Sequence, residues 1–270
     1  MPTRARAGDG LAAALKRVVK SVETTLGEVI VEAEGQDLFD AVEAVRLDMV
    51  AVREGDTRGL ARARRRLGRL SLAERTAVAR AYTIYLELVN VCENAYRTHR
   101  LRERRRAASP GHVDTARANV VFVLTAHPTE SRAPVNIGLM HRIQALLVEG
   151  LDRRDPPDTR RLAHLLHLVW RTGTHPVHKP TVEDEAQHLF SLLTDPILDE
   201  LLQLRRESHA VRLRTWVGGD KDGHPGVGPE ETDTSCNLSR ARLLAFINDR
   251  LLPPVERDVR LLSGRRVPDA

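Results

Sequence analysis

Val120-Val121-Phe122-Val123-Leu124-Thr125-Ala126-His127-Pro128-Thr129-Glu130 is the stretch on which the reading of this chain turns. Five apolar, mostly β-branched residues read as a strand. They run straight into a polar turn that holds a histidine between Ala126 and Pro128. Pro128 fixes the backbone beside the imidazole, and Thr129 and Glu130 can orient it or a bound anion. A histidine after a strand is more often structural than catalytic. Yet a titratable group in a rigid turn at the end of a strand is also a common way to place proton-transfer chemistry at the edge of a core.

A second strand-to-turn segment is Val211 to Val217 followed by Gly218-Gly219-Asp220-Lys221-Asp222-Gly223-His224-Pro225. Its glycines allow close backbone approach and Lys221 adds charge, so an anion cradle is one reading. A tight turn is another. A calcium loop fits poorly, because a third acidic ligand before the glycine and a distal Glu are missing.

Around these two segments the pattern is helical. Leu11 to Leu26 has apolar residues at helical spacing and is expected to end near Gly27. A second helix is expected over 38–52, with Leu38, Val42, Val45 and Val52 on one side and Glu54-Gly55-Asp56 at its end. Ser71-Leu72-Ala73-Glu74 has the form of a capping box and opens a long helix to about Arg104. Positions 78, 81, 82, 85, 88, 89 and 92 give that helix its apolar face. Residues 107–114 read as a loop. Helices are expected over 135–151 and 159–170, separated by Asp155-Pro156-Pro157-Asp158, and 172–180 reads as a loop. Thr181 is expected to cap an acid-led helix, Thr194-Asp195-Pro196 to start another, and 239–252 to form a final one ended by Pro253-Pro254. Two strands separated by several helices suggest the opening of a β/α architecture with helical insertions.

Composition narrows the classes. Of the 270 residues 41% are hydrophobic but only 3% aromatic, so the core must come from Leu, Val and Ala. The net charge of +5 would suit an anionic ligand or a nucleic acid. The basic run from Arg97 to Arg106 has no aromatic beyond Tyr96 and includes Glu103, which favours a solvated helix end over a nucleic-acid contact. Cys92 and Cys236 form no CxxC pair, which fits a reducing cytoplasm. No apolar run reaches the length of a membrane span. Residues 1–10 lack an apolar signal core and read as a disordered tail. His164, His167, His175 and His178 invite a zinc reading, but eleven histidines make chance clustering the stronger one.

Several blocks, in order, resemble the phosphoenolpyruvate carboxylase family. They are Leu26-Gly27-Glu28-Val29-Ile30 with Glu34-Gly35 and Leu38, Leu70 to Arg75, Leu88-Val89-Asn90 through Leu101 to Arg104, and Thr125 to Glu130. Lys179-Pro180-Thr181 with Asp184-Glu185-Ala186, and the glycine turn, complete the set. The resemblance implies a mostly α chain with a few parallel strands, the N-terminal part of a helix-expanded β/α (TIM-like) barrel. Residues 11–115 would be a helical N-terminal region and 116–270 the start of the barrel. It implies carboxylation of phosphoenolpyruvate with bicarbonate to oxaloacetate and phosphate, with Mg²⁺ or Mn²⁺, in a cytoplasmic homo-oligomer. His127 takes the role of base on carboxyphosphate, and Lys221 and Arg132 become candidate substrate contacts. No metal ligand is assigned within this chain.

Departures from the family pattern temper those roles. Lys221 and His224 stand where the family favours Arg and Asn. Arg171-Thr172-Gly173-Thr174 replaces a Gln and acidic residues, and Ser131-Arg132-Ala133 keeps only part of a basic stretch. Lysine keeps charge but loses the planar fork of arginine. The chain is also expected to stop after roughly the first third of a family member, too few strands to close a barrel. It is therefore expected to lack substantial carboxylase activity alone and to need a complementing C-terminal chain. The rival expectation is a non-catalytic truncated homologue that docks on a full-length carboxylase or another partner.

Overall fold

A computed structural model describes residues 9–107, 119–125, 132–173, 179–206, 210–219 and 226–263. Among the described residues the chain is mostly helical, with two parallel strands. It divides into two compact units, Met1–Gly111 with Ala133–His175, and His112–Arg132 with Pro176–Ala270.

The first unit holds six described helices: α1 (Asp9–Glu34), α2 (Gln36–Arg53), α3 (Gly59–Arg69), α4 (Leu72–Ala107), α5 (Pro134–Arg153) and α6 (Thr159–Arg171). Its core is mostly aliphatic, in keeping with the shortage of aromatics, with Trp170 the buried aromatic of the cluster. Val29, Ile84, Leu88, Ile143, Leu147, Leu162, Leu166 and Val169 are almost wholly removed from water. Burial of such side chains at roughly 1.5–3 kcal/mol each is the main favourable term in the unit. The expected face of α4 holds at 78, 81, 88 and 92. Ile84, Val91 and Ala95 extend the stripe, and Tyr82 and Tyr85 pack half-buried against the same core. The α4 cap is reciprocal: Glu74 N donates to Ser71 Oγ at 3.2 Å, and Ser71 N donates to Glu74 Oε2 at 2.7 Å.

Three sequence expectations need correction in helix boundaries. Helix α1 does not stop near Gly27 but continues to Glu34. Gly27 faces the Phe39 ring, and a Cβ there would lie 2.8 Å from Phe39 Cε2. The glycine thus admits an aromatic from α2 instead of ending a helix. Helix α3 was not anticipated at all. It is held by Asp48, which accepts from Arg62 Nε at 2.7 Å and Arg66 Nε at 2.9 Å. Finally, the last expected helix begins ten residues earlier and is not terminated by Pro253-Pro254, as described below.

The Asp48 carboxyl is held below its ordinary value, first by the Arg62 hydrogen bond and then by Arg66. Asp152 is lowered first by His99 and then by Arg102. A depressed folded-state value means stability that is present above the unfolded value and lost as pH falls through the folded one. The first unit should therefore hold a constant melting temperature above about pH 5 and lose stability below about pH 4. Thermal melts from pH 3 to 7 check this, and Asp48→Asn should flatten the acid limb. An unchanged limb in that variant would show that the cluster does not report on folding.

The second unit contains β1 (Asn119–Leu124), α7 (Val182–Ser191), α8 (Asp195–Arg206), β2 (Ala210–Thr215), α9 (Pro229–Phe246), a π-helical turn (Ile247–Leu251) and α10 (Leu252–Ser263). The strands pair in parallel, Asn119 opposite Ala210 through Leu124 opposite Thr215. Thr181 caps α7 as expected, its Oγ1 accepting from Asp184 N at 3.1 Å. Val182, Ala186, Leu189, Phe190, Val217 and Phe246 form the core of this unit. Pro253 and Pro254 follow the π-helical turn directly, and the helical backbone runs on through them into α10. Of the loops expected over 107–114 and 172–180, residues 108–114 and 174–178 lie outside the described residues.

Candidate functional site

The parallel register ends both strands together, with Leu124 paired to Thr215. From these ends the chain continues into the two segments singled out in the sequence. The described part of the second one is a tight turn. Gly219 N donates to Trp216 O at 2.7 Å, and Val217 N donates to Thr215 Oγ1 at 3.1 Å. Gly218 has φ +77° and is buried. A Cβ on it would lie 2.7 Å from Ser235 Cβ and 3.0 Å from Glu231 O. Glycine is needed here both for the left-handed backbone and for the approach of α9.

Helix α9 pins this turn. Thr232 Oγ1 donates to Gly218 O, and Ser235 Oγ donates to Val217 O at 2.9 Å. The start of α9 is fixed by Gly228 N donating to Glu231 Oε2 at 2.8 Å, with Pro229 opening the helix. The Glu231 carboxyl sits below its ordinary value because its own amide, and then that of Gly228, hydrogen-bond it. Thr232, Ser235 and Glu231 were missed from sequence. The signal was there: Gly228-Pro229-Glu230-Glu231 combines proline at the first helical position with Glu two residues later.

A cavity of about 310 Å³ lies at these strand ends, lined among others by Leu124, Arg214, Thr215, Gly219, Thr232 and Cys236. Its described polar lining is backbone, hydroxyl, thiol and one guanidinium, with no carboxylate, a set that accommodates an anion. Arg132 is described and half-buried just ahead of Ala133. His127 and Lys221 lie outside the described residues, as do Asp220 and Asp222 of the calcium alternative and His175 and His178 of the zinc alternative. His164 is exposed, and His167 Nε2 meets Glu32 Oε2 at 2.8 Å. Among the described residues no group of three or more His, Cys, Asp or Glu side chains is gathered to hold a metal ion. The divalent metal implied by the resemblance therefore has no fitting site among them. Burial pushes the Cys92 thiol up to about 12, which makes it a packing residue, not a nucleophile. No described helix is long and apolar enough to cross a membrane.

The family model for phosphoenolpyruvate carboxylase matches residues 15–118 and 112–252. The chain belongs to the phosphoenolpyruvate carboxylase family. A phosphoenolpyruvate carboxylase of Burkholderia mallei (strain SAVP1) is 29% identical over an alignment covering 80% of this chain and 26% of the relative. One from Xanthomonas campestris pv. campestris (strain 8004) is 27% identical, over 87% of this chain and 31% of the relative. The chain thus spans between a quarter and a third of the length of the curated relatives it matches.

Proposed function

We propose that this chain contributes the histidine-bearing portion of a site that carboxylates phosphoenolpyruvate with bicarbonate, giving oxaloacetate and phosphate. The observation that carries the reading is the parallel pairing of Leu124 with Thr215. In a member of this family, it starts the Thr125–Glu130 segment and the Gly218-Gly219 turn from one edge of one sheet. Catalytic groups on open parallel β/α sheets sit beyond the carboxyl ends of the strands. On this reading β1 and β2 are early strands of a helix-expanded β/α barrel.

In the reaction proposed, a bicarbonate oxygen attacks the phosphorus of phosphoenolpyruvate. The ester P–O bond breaks, leaving carboxyphosphate and the enolate of pyruvate. His127 takes the remaining carboxyphosphate proton, and the C–O bond to phosphate breaks to release CO₂. The enolate carbon attacks that CO₂ to give oxaloacetate, and the proton leaves with phosphate. Lys221 and Arg132 are proposed as anion contacts that offset charge on the phosphate and carboxylate. The working assembly is proposed to be cytoplasmic and to be a homo-oligomer or this chain with a complementing C-terminal chain.

The test is bicarbonate-dependent oxaloacetate formation by the chain alone and mixed with the remainder of a family carboxylase. Turnover is expected only in the mixture, and Lys221→Gln or Arg132→Gln there should raise KM for phosphoenolpyruvate about tenfold. Unchanged KM in both variants would remove those two residues from the site.

A second reading, a non-catalytic homologue that docks on a longer carboxylase, is favoured by the apolar surface of the second unit. Val121, Phe122, Val123 and Leu213 on the strands, and Val255, Val259, Leu261 and Leu262 on α10, are all exposed. In the same experiment, a mixture that associates without turning over substrate would select this reading.

A further inference from the structure

The cavity in the first unit that lies between α1, α4 and the link from α5 to α6 has a volume of about 500 Å³. That is within the range of pockets that take small metabolites. None of the residues proposed for carboxylation lines it. Three guanidiniums do, one from each wall: Arg17 of α1, Arg100 of α4, and Arg154 of the link.

Their bonding is unusual in three ways. The guanidiniums of Arg17 and Arg154 have no hydrogen-bond or ion-pair partner among the described residues, although the Arg154 amide donates to Leu151 O at 3.2 Å. Arg100 gives its Nη1 to Glu103 Oε2 at 2.6 Å, while its Nε is shut off from water and bonded to nothing. A buried donor left unpaired is a standing cost that a ligand oxygen would remove. Most telling is the backbone of Arg154. It ends α5 with φ 60° and ψ 27°, and among the described residues it is the only non-glycine with positive φ. Glycine is the favoured residue at such a helix end. An arginine there keeps a strained backbone, and what it gains is a cation at the cavity.

His99 of the lining is tied to a carboxylate outside it. His99 Nδ1 lies 2.8 Å from Asp152 Oδ1, and Arg102 donates to Asp152 Oδ2 at 2.8 Å. Asp152 is therefore already compensated and does not draw on the three cations. Glu103 answers Arg100, and Asp155 is the other carboxylate of the lining. Three guanidiniums against two carboxylates leave a positive balance, with hydroxyls from Ser21 and Tyr96 beside it.

We propose that this cavity binds a small organic anion, a phosphate ester or a dicarboxylate, held between Arg17, Arg100 and Arg154. The planar guanidinium fork matches both oxyanion types. The two sources are separated by using sn-glycerol 3-phosphate and succinate as probes, with glycerol as the uncharged control.

Titration calorimetry on the full 270-residue chain is expected to show saturable binding of at least one anion and none of glycerol. Arg17→Gln, at an exposed position of α1, should weaken that binding about tenfold or more. Arg154→Gly should weaken it similarly while raising the ligand-free melting temperature, because it relieves the left-handed backbone. That pairing of tighter folding with poorer binding is not what a merely structural arginine would give. No saturable binding of either anion up to roughly 10 mM overturns the proposal, as does wild-type affinity in both variants.

Discussion

Gly218→Ala is expected to destabilise the second unit by about 3 kcal/mol, whereas Gly219→Ala beside it should change stability by less than about 0.5 kcal/mol. The two glycines are adjacent, and the sequence treats them alike. The structure does not. Gly218 has a positive φ and meets Ser235 Cβ and Glu231 O below 3.1 Å from an added Cβ, while the nearest atom to a Cβ on Gly219 is Trp216 O at 3.6 Å. Alanine at 218 must pay left-handed strain of about 1–2 kcal/mol and push back α9 for about 1–3 kcal/mol more. It would also strain the bonds from Thr232 and Ser235 that hold the turn. Urea unfolding followed at Trp216 reads the difference, aided by hydrogen exchange across α9. Equal losses in both variants would mean that the turn is fixed by its own backbone and not by the helix behind it. If Gly219 instead serves an anion, Gly219→Ala should leave stability intact and raise KM for phosphoenolpyruvate.

That contrast shows where sequence reading is strong and where it runs out. Signals that act within one turn of chain were legible. The Ser71–Glu74 box and the Thr181 cap, each closed through hydrogen bonds three residues long, are present as read, and Asp184 makes the second cap reciprocal as well. Signals whose meaning depends on a distant partner were not. Gly27 has the look of a helix end, yet it is an interior residue shaped for Phe39. The arginine-dense α3 hides a short apolar stripe. Its anchoring partner, Asp48, lies 14 and 18 residues before the two arginines it binds. Pro253-Pro254 has the look of a helix stop, yet the helical backbone runs through it from a π-helical turn.

The strands raise a different issue. Val120 to Val123 is an apolar run of the kind found in sheets covered on both faces. Among the described residues Val121, Phe122 and Val123 remain between 38% and 56% exposed. The sequence therefore states what environment the strand is suited to, but the register with β2 had to come from the fold. Of the candidate site, the sequence named the residue types at the two strand ends and missed the support. Thr232 and Ser235 hold backbone carbonyls 14 and 18 residues away, and no local pattern encodes such a bond.

His127→Asn should lower oxaloacetate formation by about 10²–10⁴-fold in the mixture of this chain with a complementing C-terminal chain, the range expected for loss of a general base. KM for phosphoenolpyruvate should stay within about threefold, because the imidazole is proposed to act on carboxyphosphate and not on the bound ester. That placement makes a finer prediction. The phosphoryl transfer from phosphoenolpyruvate to bicarbonate precedes the step in which the base is used. Phosphate release should then fall less than oxaloacetate formation, with the enolate taking a proton to become pyruvate. Assays of phosphate, pyruvate and oxaloacetate on one preparation separate the cases. An equal fall in all three would move His127 to a role before the ester bond breaks. Wild-type oxaloacetate formation in the variant would leave His127 a structural residue of its turn. The register of Leu124 with Thr215 would then position a site whose base lies elsewhere.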